Sequence, residues 1–283
     1  MSHKYTVKAH DTLSSIAKAF YGDPMLSQQL GEFNHVPNGL RPGQVLQIPS
    51  KTELIHPGGK STTVRINKEL PWGKLVVDLI TGRVHLTQRW EWTWLQMPAG
   101  PHTHAGPNWS PREKVGFRTT VVSQINQLWN RKVRFHVAGN SDFSKKFGGI
   151  ALPMVFLIAD AKSDDRHWSV SAYKDADPKD RSYVDTPGRK IVFYRTNLPL
   201  HNVCLEKVNA GDAEVCSTNG SFSTPAHEYG HTIGNDDEYT ATSPNRSDKQ
   251  SIENIGTHIR ERHLDAVLTE LNTLIPDCRW TFG

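Results

Sequence analysis

Cysteine is scarce: Cys204, Cys216 and Cys278 are all that 283 residues carry. That excludes a disulfide-framework fold, and the three lack the paired spacing of a zinc ribbon. Cys204 and Cys216 are placed to close a short loop in an oxidising space; three buried or free thiols are the equal alternative. Long apolar runs are missing too. The longest, Ile150 to Ala159, contains Pro153 and is about half the roughly 20 residues that cross a bilayer, so it reads as a buried strand and no membrane span is expected. Met1 to His10 have no continuous apolar segment after their charges. The expectation is therefore synthesis in the cytoplasm without a signal peptide. No block of like charge stands out either: 33 Lys and Arg against 29 Asp and Glu give +4, scattered along the chain. Without a clustered basic face and interleaved aromatics, a nucleic-acid partner is not expected.

What is present describes a soluble globular chain, with 36% hydrophobic and 22% charged residues, eight Trp and ten Phe. The length favours two domains. The expected division is a small domain over 1–50, a connector over 51–69, polar and rich in turn formers such as His56-Pro57-Gly58-Gly59, and a larger domain over 70–283.

Within the first segment Tyr5 and Val7 alternate as in a strand. Asp11-Thr12 then cap a helical pattern with Leu13, Ile16, Ala17 and Phe20 on one face. Tyr21-Gly22-Asp23-Pro24 breaks it, a second helix runs through Leu26, Leu30 and Phe33, and Leu40-Arg41-Pro42-Gly43-Gln44 turns the chain into a strand, Val45 to Pro49. The order is strand, helix, helix, strand. Tyr5-Thr6-Val7, Asp11-Thr12-Leu13, Ile16-Ala17, Asn34 and Leu40 to Pro49 together resemble a LysM module over residues 4–49. The resemblance implies docking to the N-acetylglucosamine backbone of peptidoglycan or chitin, or use as a protein adaptor in contractile tails. No individual glycan contact within 4–49 is assigned.

The larger segment reads as α+β. Leu75 to Leu86 and Trp90 to Met97 alternate like strands, the second placing Trp90, Trp92 and Trp94 on one face. Core packing is the expected use of that stripe, and stacking on sugar rings the alternative. Pro98 to Trp109 is a loop holding His102 and His104. Ser110-Pro111-Arg112-Glu113 reads as a capping box ahead of a long helix with Val115, Val122, Ile125 and Leu128 inward. Strands are expected at Val133 to Val137, Leu152 to Ile158, Trp168 to Tyr173 and Ile191 to Tyr194, and a closing helix over Thr257 to Leu274.

The chemistry concentrates in Thr224 to Tyr239. His227 and His231 are four residues apart, so on a helix both imidazoles share a face and can bind one ion. Glu228 lies beside the first imidazole, free to act as a general base rather than a ligand. Three protein ligands with an open position are the pattern of catalytic zinc, whereas a bracing site is four-coordinate and uses cysteine. Pro225 suits a helix start, and Gly234 sits where the helix should stop.

This stretch resembles the metzincin branch of zincin metallopeptidases, with two His, a glycine three residues later and a third ligand three beyond. The resemblance implies Asp237 as third ligand, with Glu238 the next choice. The family's methionine turn is matched by Ser251-Ile252-Glu253-Asn254-Ile255-Gly256, where Glu253 stands in the methionine's place and is a less favoured ligand. Tyr239 and His263 are the candidate oxyanion stabilisers.

The fold class implied is a small βααβ LysM domain followed by a zincin-like mixed α/β domain. The expected activity is a zinc-dependent metallopeptidase that hydrolyses peptide bonds in peptidoglycan stems or periplasmic proteins. The pairing of modules resembles toxins of contractile injection systems, type VI effectors among them. Expected partners are then peptidoglycan, a peptide or protein substrate, a secretion spike and a cognate immunity protein, with delivery to a target cell's periplasm. The alternative is a tail or baseplate component with a LysM adaptor and a non-catalytic zinc domain.

Overall fold

The computed structural model describes residues 3–34, 36, 40–49, 54, 65–96, 108–130, 132–175, 179–210 and 213–283. The chain divides into two compact units, Met1–Val64 and Arg65–Gly283.

The first unit follows the expected order. Strands β1 (His3–Thr6) and β2 (Val45–Ile48) pair antiparallel, and between them run α1 (Leu13–Tyr21), a 3-10 turn (Pro24–Leu26) and α2 (Ser27–Phe33). Thr12 and Ser15 form a reciprocal capping box that satisfies two backbone donors at the start of α1. Gly22 ends the helix at φ +70°, a conformation in which a side chain is strained. Ile16, Ala17, Leu26, Leu30, Leu46 and Ile48 form the core. Phe20, expected on the inner face, is exposed and packs edge-on against Tyr5. Asn34 ties the unit together: its side-chain nitrogen donates to Leu30 O and Gln47 O, and its oxygen accepts from Gln47 N.

The second unit is built on a mixed sheet of nine strands, ordered β13-β6-β7-β5-β8-β10-β9, with β3 paired to β4 and β4 to β5. Its members are β3 (Arg65–Leu70), β4 (Gly73–Asp78), β5 (Val84–Leu95), β6 (Arg134–Gly139), β7 (Leu152–Asp160), β8 (Trp168–Tyr173), β9 (Tyr183–Asp185), β10 (Lys190–Tyr194) and β13 (Cys278–Phe282). β3 begins inside the stretch expected to be connector up to residue 69. Its polar alternation hides a strand because only Ile66 and Leu70 turn towards the core. The twelve-residue β5 is the spine, with β7 parallel on one flank and β4 antiparallel, then β8 parallel, on the other. Trp90 is fully buried in the core, and Trp92 and Trp94, stacked on each other at 5.6 Å, pack against that core, so the stripe is packing. β7 buries only Leu152, Met154 and Phe156, leaving Leu157 exposed.

Helix α3 (Pro111–Trp129) lies over this sheet, started by the expected reciprocal cap between Ser110 and Glu113. Its inward stripe is Phe117, Val121, Ile125 and Trp129. Val115 is 56% exposed, and Val122 and Leu128 flank the buried line instead of forming it. The large aromatics at 117 and 129 cover more apolar area than the valines and decide the helix's rotation. A short helix, α4 (Asp142–Phe147), follows β6.

Strands β11 (His201–Ala210) and β12 (Ala213–Phe222) form a separate antiparallel hairpin stapled by a Cys204–Cys216 disulfide, while Cys278 is a buried free thiol. Helix α5 (Thr224–His231) follows directly. The expected closing helix is shorter: a 3-10 turn (Glu261–Leu264) leads into α6 (Asp265–Leu271). Residues 257–260 lie outside it because Ser251 and His258 form a bridge, with Ile252 N bonded to His258 O at 2.9 Å. His102 and His104 lie outside the described residues. No helix among those described is long and apolar enough to cross a membrane.

Candidate metal centre

Helix α5 starts where its sequence says it should. Ser223 caps it by accepting from Ala226 N, and Pro225 occupies the first turn, where no donor is needed. Thr224 to Gly230 are all buried. Trp129 anchors the helix from α3, its indole N–H donating to Ala226 O at 2.8 Å, and its ring lies 5.4 Å from that of Tyr229. Gly234, at φ +99°, reverses the chain after the helix.

One turn of helix brings the imidazoles of His227 and His231 to 4.8 Å between centroids, nearly perpendicular. Each Nδ1 is held by a backbone carbonyl: His227 donates to Ile252 O and His231 to Asn235 O, both at 2.8 Å. A carbonyl can only accept, so each Nδ1 carries a hydrogen, and each Nε2 is the nitrogen left to bind a metal once its own proton is lost.

Both Nε2 atoms converge on one oxygen, Asp237 Oδ1, at 3.1 Å from His227 and 3.3 Å from His231. Burial opposes charge on these groups, but the hydrogen bonds to Asp237 and the negative charge of Glu253 more than offset it. His231 is pushed up to about 9 and His227 also rises. Burial likewise pushes the Asp237 carboxyl up, yet its hydrogen bonds from the two imidazoles hold it well below the usual carboxylate range.

Two carboxylates compete for the third place. His227, His231 and Glu253 offer donor atoms within 4.8 Å of one another. However, Glu253 Oε2 approaches the Nδ1 atoms, at 3.8 and 3.7 Å, where the carbonyls already bind. Asp237 lies on the Nε2 side, where a third donor could reach an ion held by both imidazoles. Two imidazole nitrogens and one carboxylate oxygen gathered at one point could hold a divalent ion such as zinc.

Glu238 is turned away. Its oxygens receive Arg262 at 2.5 and 2.8 Å and lie 3.2 Å from His263 Nε2, and Arg262 also reaches Asp248 at 2.8 Å. His263 belongs to the same network, with Nε2 also 3.2 Å from Ser251 Oγ and Nδ1 accepting from Arg260 N. It braces the 251–256 turn rather than facing the imidazole pair. Tyr239 is 47% exposed, its ring 6.0 Å from that of His227, and it hydrogen-bonds Asp237. Burial and the bond to Asp237 push its hydroxyl pKa up.

Glu228 is 5% exposed. Among the described residues its carboxylate enters no ion pair and accepts no hydrogen bond. Burial raises its pKa, the two imidazoles draw it down, and Asp237 adds to the rise. Phe222, at the end of the hairpin, packs 5.2 Å from the His227 ring. That contact was not legible in sequence, because nothing in the spacing of 201–222 ties it to the histidines.

In the small unit, the LysM family model matches residues 5–49. Residues 5–49 are a LysM domain. It supports peptidoglycan binding by this chain. An uncharacterized protein of Deinococcus radiodurans is 45% identical over 47 residues, which cover 16% of this chain and 19% of that protein. No solved structure matches the chain.

Proposed function

We propose that residues 65–283 are a zinc-dependent metallopeptidase, docked to the cell wall by the LysM domain. The reading rests on one observation: two imidazole Nε2 atoms and one Asp237 oxygen meet at a point, beside a buried carboxylate, Glu228, that carries no other duty. His227, His231 and Asp237 would hold the ion. A bound zinc supplies Lewis-acid polarisation of a carbonyl and a lowered pKa for water. Glu228 takes a proton from the attacking water and returns it to the leaving amine. Its burial favours this, since a carboxyl with a raised pKa accepts and gives up protons nearer neutrality. Tyr239, at the exposed rim, offers a hydroxyl donor to the developing oxyanion once it turns from Asp237.

The substrate class we propose is a peptide bond in a wall-associated target, either a peptidoglycan stem or a periplasmic protein. The LysM domain favours the first. Delivery by a contractile, type VI-like system with a cognate immunity protein completes the proposal. A wall-anchored structural component is the competing reading, favoured by the carboxylate at Glu253 beneath the site.

Incubation of the purified chain with sacculi and with an unfolded protein, with and without a chelator, tests the activity. The expected result is a product that the chelator abolishes and that Glu228→Gln reduces by about 100- to 10,000-fold, the contribution of a general base. No chelator-sensitive product from either substrate would favour the structural reading.

A further inference from the structure

Glu253 is the least easily explained residue of the molecule. Its side chain is 0% exposed, and neither carboxylate oxygen has a hydrogen-bond partner among the described residues. A carboxylate sealed in this way is costly unless something balances its charge. Its surroundings hold it in place. Glu253 N donates to Ser251 Oγ at 3.3 Å, Glu253 O accepts from Glu238 N at 2.8 Å, and Ile252 beside it carries the carbonyl that orients His227. Oε2 lies 3.8 and 3.7 Å from the Nδ1 atoms of His227 and His231. Those distances are too long for hydrogen bonds and short enough for electrostatic attraction in the protein interior.

The histidine helix makes room for it. A Cβ added at Gly230 would stand 1.6 Å from Glu253 Oε1 and 2.6 Å from its Cδ. Gly230 has no left-handed backbone to explain it, as it lies inside α5 and is absent from the positive-φ glycines. Glycine in a helix interior costs roughly 1 kcal/mol relative to alanine, so a packing reason is called for. The buried carboxylate supplies it.

We propose that Glu253 is a positioning residue for the metal site, a buried carboxylate set under both imidazoles that strengthens cation binding, and that Gly230 is its steric complement. The inference rests on the metal reading above. Asp237 on the Nε2 side and Glu253 on the Nδ1 side together match the two charges of a divalent ion. Glu253 acts on the two rings through its charge alone, since the Ile252 and Asn235 carbonyls already take the Nδ1–H groups.

The experiment measures zinc affinity of the full chain by competition with a chromophoric chelator, the visible spectrum of the cobalt-substituted protein, and the melting temperature without metal. Glu253→Gln should bind zinc about 10- to 100-fold more weakly, the usual effect of losing such a partner, and shift the cobalt spectrum. The same variant should melt close to wild type when metal-free, because the desolvation cost it relieves offsets the attraction to the imidazoles that it loses. A purely structural residue would move affinity only together with metal-free stability. Glu253→Met, which fills the space without charge, should share the loss. Gly230→Ala should lose affinity by displacing the carboxylate, and combining it with Glu253→Ala should add little beyond Glu253→Ala alone.

Wild-type affinity in Glu253→Gln or Glu253→Met, while His231→Ala fails to bind, overturns the inference and leaves the metal site standing. Additive losses at 230 and 253 overturn the steric half. If the wild-type chain itself shows no binding that depends on His227 and His231, the metal reading and this inference fall together.

Discussion

Replacing Asp237 with Asn removes charge from the point where the two Nε2 atoms meet, and the consequences for metal binding are calculable. Its Oδ1 lies 3.1 and 3.3 Å from them, and its hydrogen bonds are the main reason that both imidazoles hold protons more tightly than a free histidine. Losing a hydrogen bond to a charged group at this half-buried carboxylate costs about 1.5–3 kcal/mol, and about 1.4 kcal/mol is a factor of ten. Zinc affinity should therefore fall by about 10- to 100-fold. The pH dependence moves as well. His231 has its pKa raised to about 9 in the metal-free protein, and a metal needs it unprotonated. The wild-type affinity should rise with pH throughout the range below about 9 and level off there. The sign for stability is the reverse: the His231 and Asp237 pair stabilises the metal-free fold fully below 6.5, and that contribution is lost as pH rises through about 9. In Asp237→Asn the affinity plateau should come at lower pH, because the charge that raises the imidazole is gone. Chelator competition from pH 6 to 9.5 measures both effects. Unchanged affinity in Asp237→Asn, with binding lost in Glu238→Gln, would refute the assignment of ligands.

Three further outcomes are expected. Serine at both Cys204 and Cys216 removes a covalent closure worth about 3 kcal/mol for a loop of this order; mild proteolysis should then cut within 201–222 faster while the core's melting temperature holds. Asp248 is held down to about 2 by Arg260, with Arg262 assisting against the upward push of burial. Its stabilising contribution is full above 3.8 and lost as pH falls towards 2; acid titration of Asp248→Asn should lack that component. Asn34→Ala removes the side-chain bonds to the backbone N–H and carbonyl of Gln47; unfolding of the LysM domain should become easier by about 0.5–1.5 kcal/mol for each bond lost, read by hydrogen exchange at Gln47.

The local signals in the chain were legible without coordinates because they act over a few residues. Thr12 and Ser110 as caps, Gly22 and Gly234 as stops, the LysM order of elements, and two histidines a helical turn apart all depend on backbone geometry and spacing. Long-range packing was not legible. The inward face of α3 is set by Phe117 and Trp129 meeting partners from distant strands, and the truncated closing helix by a bridge between Ser251 and His258. The hairpin over 201–222 has little apolar alternation, because neither of its faces is buried.

By itself the sequence determined which atoms are available: two imidazoles on one face, an adjacent carboxylate base, and three acidic candidates at 237, 238 and 253. Only the tertiary structure separated those three. Asp237 faces the Nε2 atoms, Glu238 is claimed by Arg262, and Glu253 lies beneath the rings in space left open by Gly230. The reason is that a ligand is defined by direction as well as chemistry. Direction here is set by contacts between residues that spacing along the chain does not connect, such as the Ile252 carbonyl that turns His227.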